Sequence, residues 1–402
     1  MLPYIKIHNY IVERAFKTTF KQNIDKHCHD SIGRALIYFK TTSLSPGYRH
    51  DYSHTNLWEV VCLTETLNQL GFVVDVVDRS CPASFLPENK YDLFIGIGTD
   101  DSGQHYLRFA KHLQKAVKIL YATTSNPYHR NENIKQRFSN FEHRNNHKLP
   151  MSRLVERINF NDNMKFSDYV FCVGNDQTIA TYSVFEKPTH KIWLPTAPHL
   201  TLTNASLHGK RQNNWLFFAG NGNILKGLDL VIESFARTPE SSIFICTKLE
   251  DDFLKYYKPL IDRSKNIHIE NFIRIKSKRF MELTRKCGFV ILPSCTEGTA
   301  TSVTTCMRRG LVPVVTAESG VDIQNFGYQI DDLSIDGLEH LINKLSQITN
   351  HELRKRVIGS YEASWQYTQQ SYKQSISHAL LQLLTHDHRL SKLTTKHSLD
   401  RS

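Results

Sequence analysis

Apolar residues along this chain fall into short runs of four to seven, separated by longer stretches in which apolar positions recur every three or four residues. The runs are rich in Val, Ile, Leu and Phe and read as strands buried on both faces; the periodic stretches read as the helices that cover them. In the first half this pattern predicts strands over 34–39, 72–77, 91–97, 117–122, 169–173 and 191–194. A helix over 56–70 ends at Gly71, a residue suited to the left-handed turn that closes helices. Residues 201–214 turn polar, with Asn204, His208, Gly209, Lys210 and Arg211, as an interdomain linker would.

A second alternation follows, with strands over 215–219, 242–246, 266–270, 289–292 and 311–315 and helices over 228–236, 252–264, 277–286 and 335–347. Two tandem α/β domains with parallel sheets are expected, over 31–200 and 215–370. Helices over 351–369 and 371–384 end the fold, and the His-, Lys-, Ser- and Thr-rich stretch 385–402 is expected to be disordered. Residues 1–30 are an extension whose aromatic and basic content suits a helix, packed on the first domain or lying on a membrane.

Length agrees with this division, because 402 residues exceed what one ordinary core holds together. With 40% hydrophobic and 22% charged residues the chain is globular rather than disordered. No run approaches the roughly 20 apolar residues of a membrane-spanning helix, and Lys6, Glu13, Arg14 and Lys17 break any secretory apolar region, so a cytoplasmic location is expected. The eight cysteines form no CxxC pair; neither a zinc site nor a disulfide framework is indicated, and Cys295 alone falls in a loop where a thiol is a candidate for exposure. The net charge of +11 is spread over both halves without a basic block or a nucleic-acid-binding signature. It suits a solvated surface, or attraction to an anionic substrate or membrane, better than nucleic acid.

Chemistry concentrates in the second half. Between the apolar runs 289–292 and 311–315 stand Pro293, Ser294, Cys295, Thr296, Glu297 and Gly298, a loop that places one carboxylate at the carboxyl edge of a parallel sheet. The strand over 215–219 leads into Gly220, Asn221, Gly222, Asn223, Ile224, Leu225, Lys226 and Gly227, then a helix. Glycines admit a ligand to the backbone, Lys226 supplies a cation, and a helix start offers amides, which together suit a diphosphate.

The order Lys226, Gly227, Leu228, Asp229, Leu230, Val231, Ile232, Glu233, Ser234, Phe235, then the Glu297 loop, then Gly310 to Val315 and Glu318 to Gly320, resembles the donor domain of family-4-like glycosyltransferases (group 1 type) of the GT-B fold. The resemblance covers about residues 215–350 and implies two Rossmann-like domains facing across a cleft. It also implies transfer of a hexose-type sugar from a nucleotide-diphosphate donor with retention, with the nucleotide sugar as substrate and no metal or other cofactor. Lys226 matches the lysine that neutralises the diphosphate, and Glu297 the first carboxylate of a two-glutamate motif that binds sugar hydroxyls; Gly298 and Thr299 would present amides beside it. The second glutamate falls on Thr305, and the usual arginine of the glycine loop falls on Asn221. Arg308 or Arg309 stand one turn past Thr305 as substitutes for that cation, against a plain helix-end role.

On the acceptor side the loops 43–54 and 123–130 follow strands, and His50, His54 and His129 are candidates for contacting an acceptor or a phosphate. The histidine of many family members has no match, since the strand over 91–97 leads into Thr99, Asp100 and Asp101. These carboxylates either orient an acceptor hydroxyl or cap the helix that follows. The acceptor, a glycan, a lipid-linked molecule or a protein, is not named by any of these residues. A non-catalytic relative that binds glycans or a protein partner is the alternative, motivated by the changes at Thr305 and Asn221.

Overall fold

The computed structural model describes residues 7, 8, 10, 11, 19–24, 31–48, 55–99, 104–155, 157–197, 200–275 and 277–399. Within them the apolar runs pair into two sheets. The first contains β1 (Phe20–Ile24), β2 (Gly33–Phe39), β3 (Phe72–Asp78), β4 (Leu93–Ile97), β5 (Val117–Ala122), β6 (Tyr169–Val173) and β7 (Thr189–Ile192), in the order β1-β3-β2-β4-β5-β6-β7. The second contains β8 (Arg211–Phe218), β9 (Ser242–Cys246), β10 (Ile267–Ile269), β11 (Cys287–Leu292), β12 (Val312–Val315) and β13 (Tyr328–Gln329), in the order β10-β9-β8-β11-β12-β13. All pairings are parallel except that of β1 with β3. Both sheets are buried on their two faces: β4, β5, β11 and β12 are buried at every residue, the environment that continuous apolar strands require.

Three expectations are corrected. In the extension 1–30, residues 7, 8, 10 and 11 are helical as expected, but Phe20–Ile24 forms an antiparallel edge strand. It covers the outer edge of β3, and its Asn23 amide donates to the buried Asp75 Oδ1 at 2.8 Å, a carboxylate that also accepts from Arg34 Nη1 and the Tyr91 hydroxyl at 2.6 Å each. The stretch read as a linker holds a helix, Asn204–Gly209, with Thr203 Oγ1 accepting from the Ser206 amide, and β8 begins at Arg211 with polar residues at its exposed end. The stretch 385–402, expected to be disordered, contains helix His388–Leu399. Arg389 bridges Asp387 (2.8 Å) and Asp168 (3.1 Å), and Leu390 is buried in the first domain's core, so tertiary contacts hold what composition alone leaves loose.

The last described helices pack on the first domain. After helix Asn350–Ala363 the chain turns at 364–368, and Thr368 caps a new helix, Gln369–His386. Tyr372, Ile376, Ala379, Leu380, Leu383 and Leu384 of that helix join the first domain's core. There the Tyr121 hydroxyl donates to Glu59 Oε2 at 2.8 Å and lies 3.1 Å from the Tyr372 hydroxyl.

Burial pushes the Glu59 carboxyl up from 4.5 to about 7, against the bonds from Tyr121 and the charge of Lys40. A raised folded value means the folded state binds more protons, so this group favours folding fully below about pH 4.5 and the contribution is lost as pH rises through about 7. Glu59→Gln keeps an acceptor for Tyr121 and removes that loss. Urea unfolding is therefore expected to show the variant more stable at pH 8 by up to about 3 kcal/mol, with little difference at pH 4; a variant less stable at pH 8 contradicts the assignment.

Candidate active site

Strand order fixes where the site lies. In the second sheet the order reverses between β8 and β11, and the loops leaving their carboxyl ends, 219–227 and 293–300, lie where open α/β sheets form their ligand crevice. Lys226 stands on one of these loops and Glu297 on the other. Their side chains meet: Lys226 Nζ donates to Glu297 Oε1, and Ser294 Oγ donates to the same oxygen at 2.9 Å. The pair is sheltered, with 14% and 16% of the two side chains exposed.

Backbone contacts hold the two loops together. The Cys295 amide donates to the Leu225 carbonyl at 3.0 Å, and Gly227, in the left-handed region at φ 73°, approaches Pro293 so closely that a Cβ would sit 2.5 Å from its carbonyl oxygen. The amides of Lys226, Gly227 and Leu228 donate to the carbonyls of Gly222, Ile224 and Asn223 at 2.9–3.0 Å. Of the helix's first amides, that of Leu228 is thus taken by the loop itself. Gly220 and Asn221 stay exposed at its tip, and space is open around Gly220.

Thr305 is 2% exposed within helix Thr301–Met307. Arg308 and Arg309 are not substitutes for the missing loop arginine. Arg308 stacks its guanidinium 3.7 Å from the Trp365 ring centroid, and Arg309 is tied to the Thr201 carbonyl, Thr284 Oγ1 and Ser206 Oγ. Cys295 is buried rather than exposed, and burial pushes its thiol up to about 11.

The first domain closes directly over this crevice. Gly298 packs against it so tightly that a Cβ would overlap the Thr123 carbonyl, with the Val173 carbonyl 3.1 Å away. Thr299 beside it is 9% exposed. Ser125 Oγ lies 2.7 Å from Thr296 Oγ1, Asn175 Nδ2 donates to the Ala317 carbonyl at 2.8 Å, and Lys191 pairs with Asp322 at 3.1 Å. His129 reaches the same loop through Asn133, whose Nδ2 lies 3.1 Å from His129 Nε2 and donates to the Cys295 carbonyl at 2.9 Å. His50, His54, Asp100 and Asp101 lie outside the described residues.

Sequence reasoning passed over the arginines of helix Pro127–Asn145. Arg130, Arg137 and Arg144 recur at seven-residue spacing, which puts them on one face, and that face meets the second domain. Arg144 pairs with Asp229 Oδ2 at 2.6 Å and Glu233 Oε2 at 2.8 Å. Burial lowers the Arg130 guanidinium from its usual value while the charge of Glu297 opposes that shift. Burial also raises the Asp229 carboxyl, against the pull of Arg137 and Arg144. The heptad spacing in a stretch otherwise polar was the signal available.

No family model and no curated protein matches the chain. Solved structures do match it. HepE of Anabaena, in complex with UDP and glucose, superposes with a TM-score of 0.57 at 14% identity over 87% of this chain and 100% of that one. Sucrose-phosphate synthase of Thermosynechococcus elongatus gives 0.60 at 11% identity over 88% and 99%. WaaG, described as a glycosyltransferase involved in lipopolysaccharide biosynthesis, gives 0.52 at 13% identity over 86% and 98%. The chain has the GT-B fold. The cleft between the two domains of this GT-B chain is where Lys226, Glu297 and the arginine face of the first domain converge, and no described helix is long and apolar enough to cross a membrane.

Proposed function

We propose that this chain is a glycosyltransferase that moves a hexose-type sugar from a nucleotide-diphosphate donor to a hydroxyl of a glycan, lipid-linked or protein acceptor, with retention. The observation that carries this reading is the contact of Lys226 with Glu297 across the strand-order reversal of a GT-B fold. A cation and a carboxylate are the two groups a nucleotide sugar calls for, one at the diphosphate and one at the sugar hydroxyls. Donor binding exchanges partners: Lys226 leaves Glu297 for the diphosphate, and the freed carboxylate accepts from the sugar, with Ser294 still holding Oε1 in place. As the glycosidic bond breaks, charge grows on the departing diphosphate beside a cation already fixed there. Protein cations, rather than a metal ion, are proposed to meet that charge.

Thermal unfolding in EDTA against a panel of nucleotide sugars tests this. One donor at about 100 times its dissociation constant is expected to stabilise the protein by about 2.7 kcal/mol. Stabilisation that needs added magnesium or manganese overturns the metal-free part. If glycans stabilise the protein and no nucleotide sugar does, the chain is a glycan-binding relative and not an enzyme.

A further inference from the structure

Of the three arginines that helix Pro127–Asn145 turns toward the second domain, the one farthest along the chain is fully paired and the other two are not. Arg144 bonds Asp229 and Glu233. Arg137 is 5% exposed, and neither of its Nη atoms has a hydrogen-bond partner. Arg130 is 9% exposed; its Nε has no partner, and its Nη atoms reach only Thr124 Oγ1 at 3.4 Å and the Arg153 carbonyl at 3.2 Å. Buried guanidinium donors without partners are costly and are rarely kept without a reason.

Both arginines lie close to the candidate donor loops: Arg130 bonds the carbonyl of Arg153, whose Cγ lies 3.4 Å from where a Cβ on Gly222 would stand. Arg137 Nη1 lies 2.7 Å from where a Cβ on Gly227 would stand, next to Lys226. Both act on the Cys295 thiol electrostatically, and Arg130 is within reach of the Glu297 charge. Around this cleft Lys226 faces Glu297, Arg144 faces Asp229 and Glu233, and Arg137 contributes to holding Asp229. With Arg153, which packs against Gly222 and acts on Arg130, and Glu250, whose Oε2 accepts from the Asn223 amide at 3.3 Å, five cations stand against four carboxylates, and Arg130 has no carboxylate in hydrogen-bond contact. The glycine loop, with Asn221 where a second cation would serve a diphosphate, lacks that second charge among its own residues, while Arg153 of the first domain packs against Gly222.

We infer that Arg130 and Arg137 supply that charge from the first domain, so that the donor's diphosphate is held between Lys226 on one wall and two guanidinium groups on the other. The inference rests on the nucleotide-sugar reading above. It makes the donor site incomplete in either domain alone, and it couples donor binding to closure of the cleft. Guanidinium groups suit the task because their planar forks match phosphate oxygens.

Titration calorimetry of the full chain with inorganic pyrophosphate, UDP and GDP tests this, using Arg130→Met, Arg137→Met and, as the charge-conserving control, Arg130→Lys. Arg130→Met and Arg137→Met are each expected to weaken diphosphate binding at least tenfold, and Arg130→Lys to restore part of it. The unliganded melting temperature of Arg130→Met is expected to hold or rise, because an apolar side chain replaces a buried cation with no carboxylate in hydrogen-bond contact, where a merely structural arginine would lower it; Arg137→Met is expected to lower it, because the buried Asp229 loses the pull of Arg137. Pyrophosphate binding that depends on Arg130, without turnover of any nucleotide sugar, upholds this anion site and overturns the transferase reading. Turnover with wild-type diphosphate affinity in both Met variants does the reverse. A wild-type protein that binds no diphosphate overturns both.

Discussion

Replacing Lys226 with alanine is expected to lower kcat about 10²- to 10³-fold, the usual cost of removing one group that stabilises developing charge, with a smaller change in donor KM. The asymmetry follows from the unliganded geometry. Lys226 Nζ already holds a carboxylate oxygen, so the bound donor offers it an exchange of one anion for another and little net gain in the ground state. In the transition state the diphosphate carries more charge, and the exchange then favours it. Glu297→Gln separates the two effects further: it frees Lys226 from its partner, so donor affinity is expected to hold or improve while kcat falls. Steady-state kinetics with the donor identified by thermal shift measures both. A Lys226→Ala enzyme with raised KM and wild-type kcat would show that the lysine serves binding alone.

Gly298→Ala is expected to cut kcat/KM by about 10²-fold, since a misplacement of about 1 Å between reacting groups is enough for such a loss, and to lower the melting temperature because the domains share a buried apolar cluster. Gly298 belongs to the Glu297 loop, yet the atom its Cβ would strike is the carbonyl of Thr123, in the other domain. A methyl group there leaves each sheet as it is but forces the domains apart where Lys226, Glu297, Arg130 and Arg137 converge, loosening Ile134, Phe138 and Phe141 of the first domain from the second domain's core. Small-angle scattering would show a more open particle. An active Gly298→Ala enzyme would mean that the closed arrangement is not the one that reacts.

Much of this was visible along the chain. The strands β2 to β6 and β9, β11 and β12 announce themselves because a strand buried on both faces must be apolar at nearly every position. Lys226 and Glu297 were legible for a related reason: each follows such a strand at once, and the glycines and Ser294 around them suit close backbone approach. What escaped was held by partners distant in sequence. Phe20–Ile24 is too short and too polar to be read as a strand, and only the open edge of β3 makes it one. His388–Leu399 is a polar helix whose anchors, Asp168 and the first-domain core around Leu390, lie elsewhere in the chain. Arg308 and Arg309 sat at the right spacing to face the site, but Trp365, Thr201 and Ser206 draw them away from it.

Sequence by itself determined two α/β domains and the two loops that carry the lysine and the glutamate, because burial and turn chemistry are local constraints written at each position. Tertiary structure alone decided that these loops flank the reversal of strand order, that Lys226 and Glu297 touch, and that the first domain brings Arg130 and Arg137 onto them. Strand order and domain closure are settled by contacts between residues far apart in the chain, 171 positions for Ser125 and Thr296. No local pattern encodes which of many such pairings is formed.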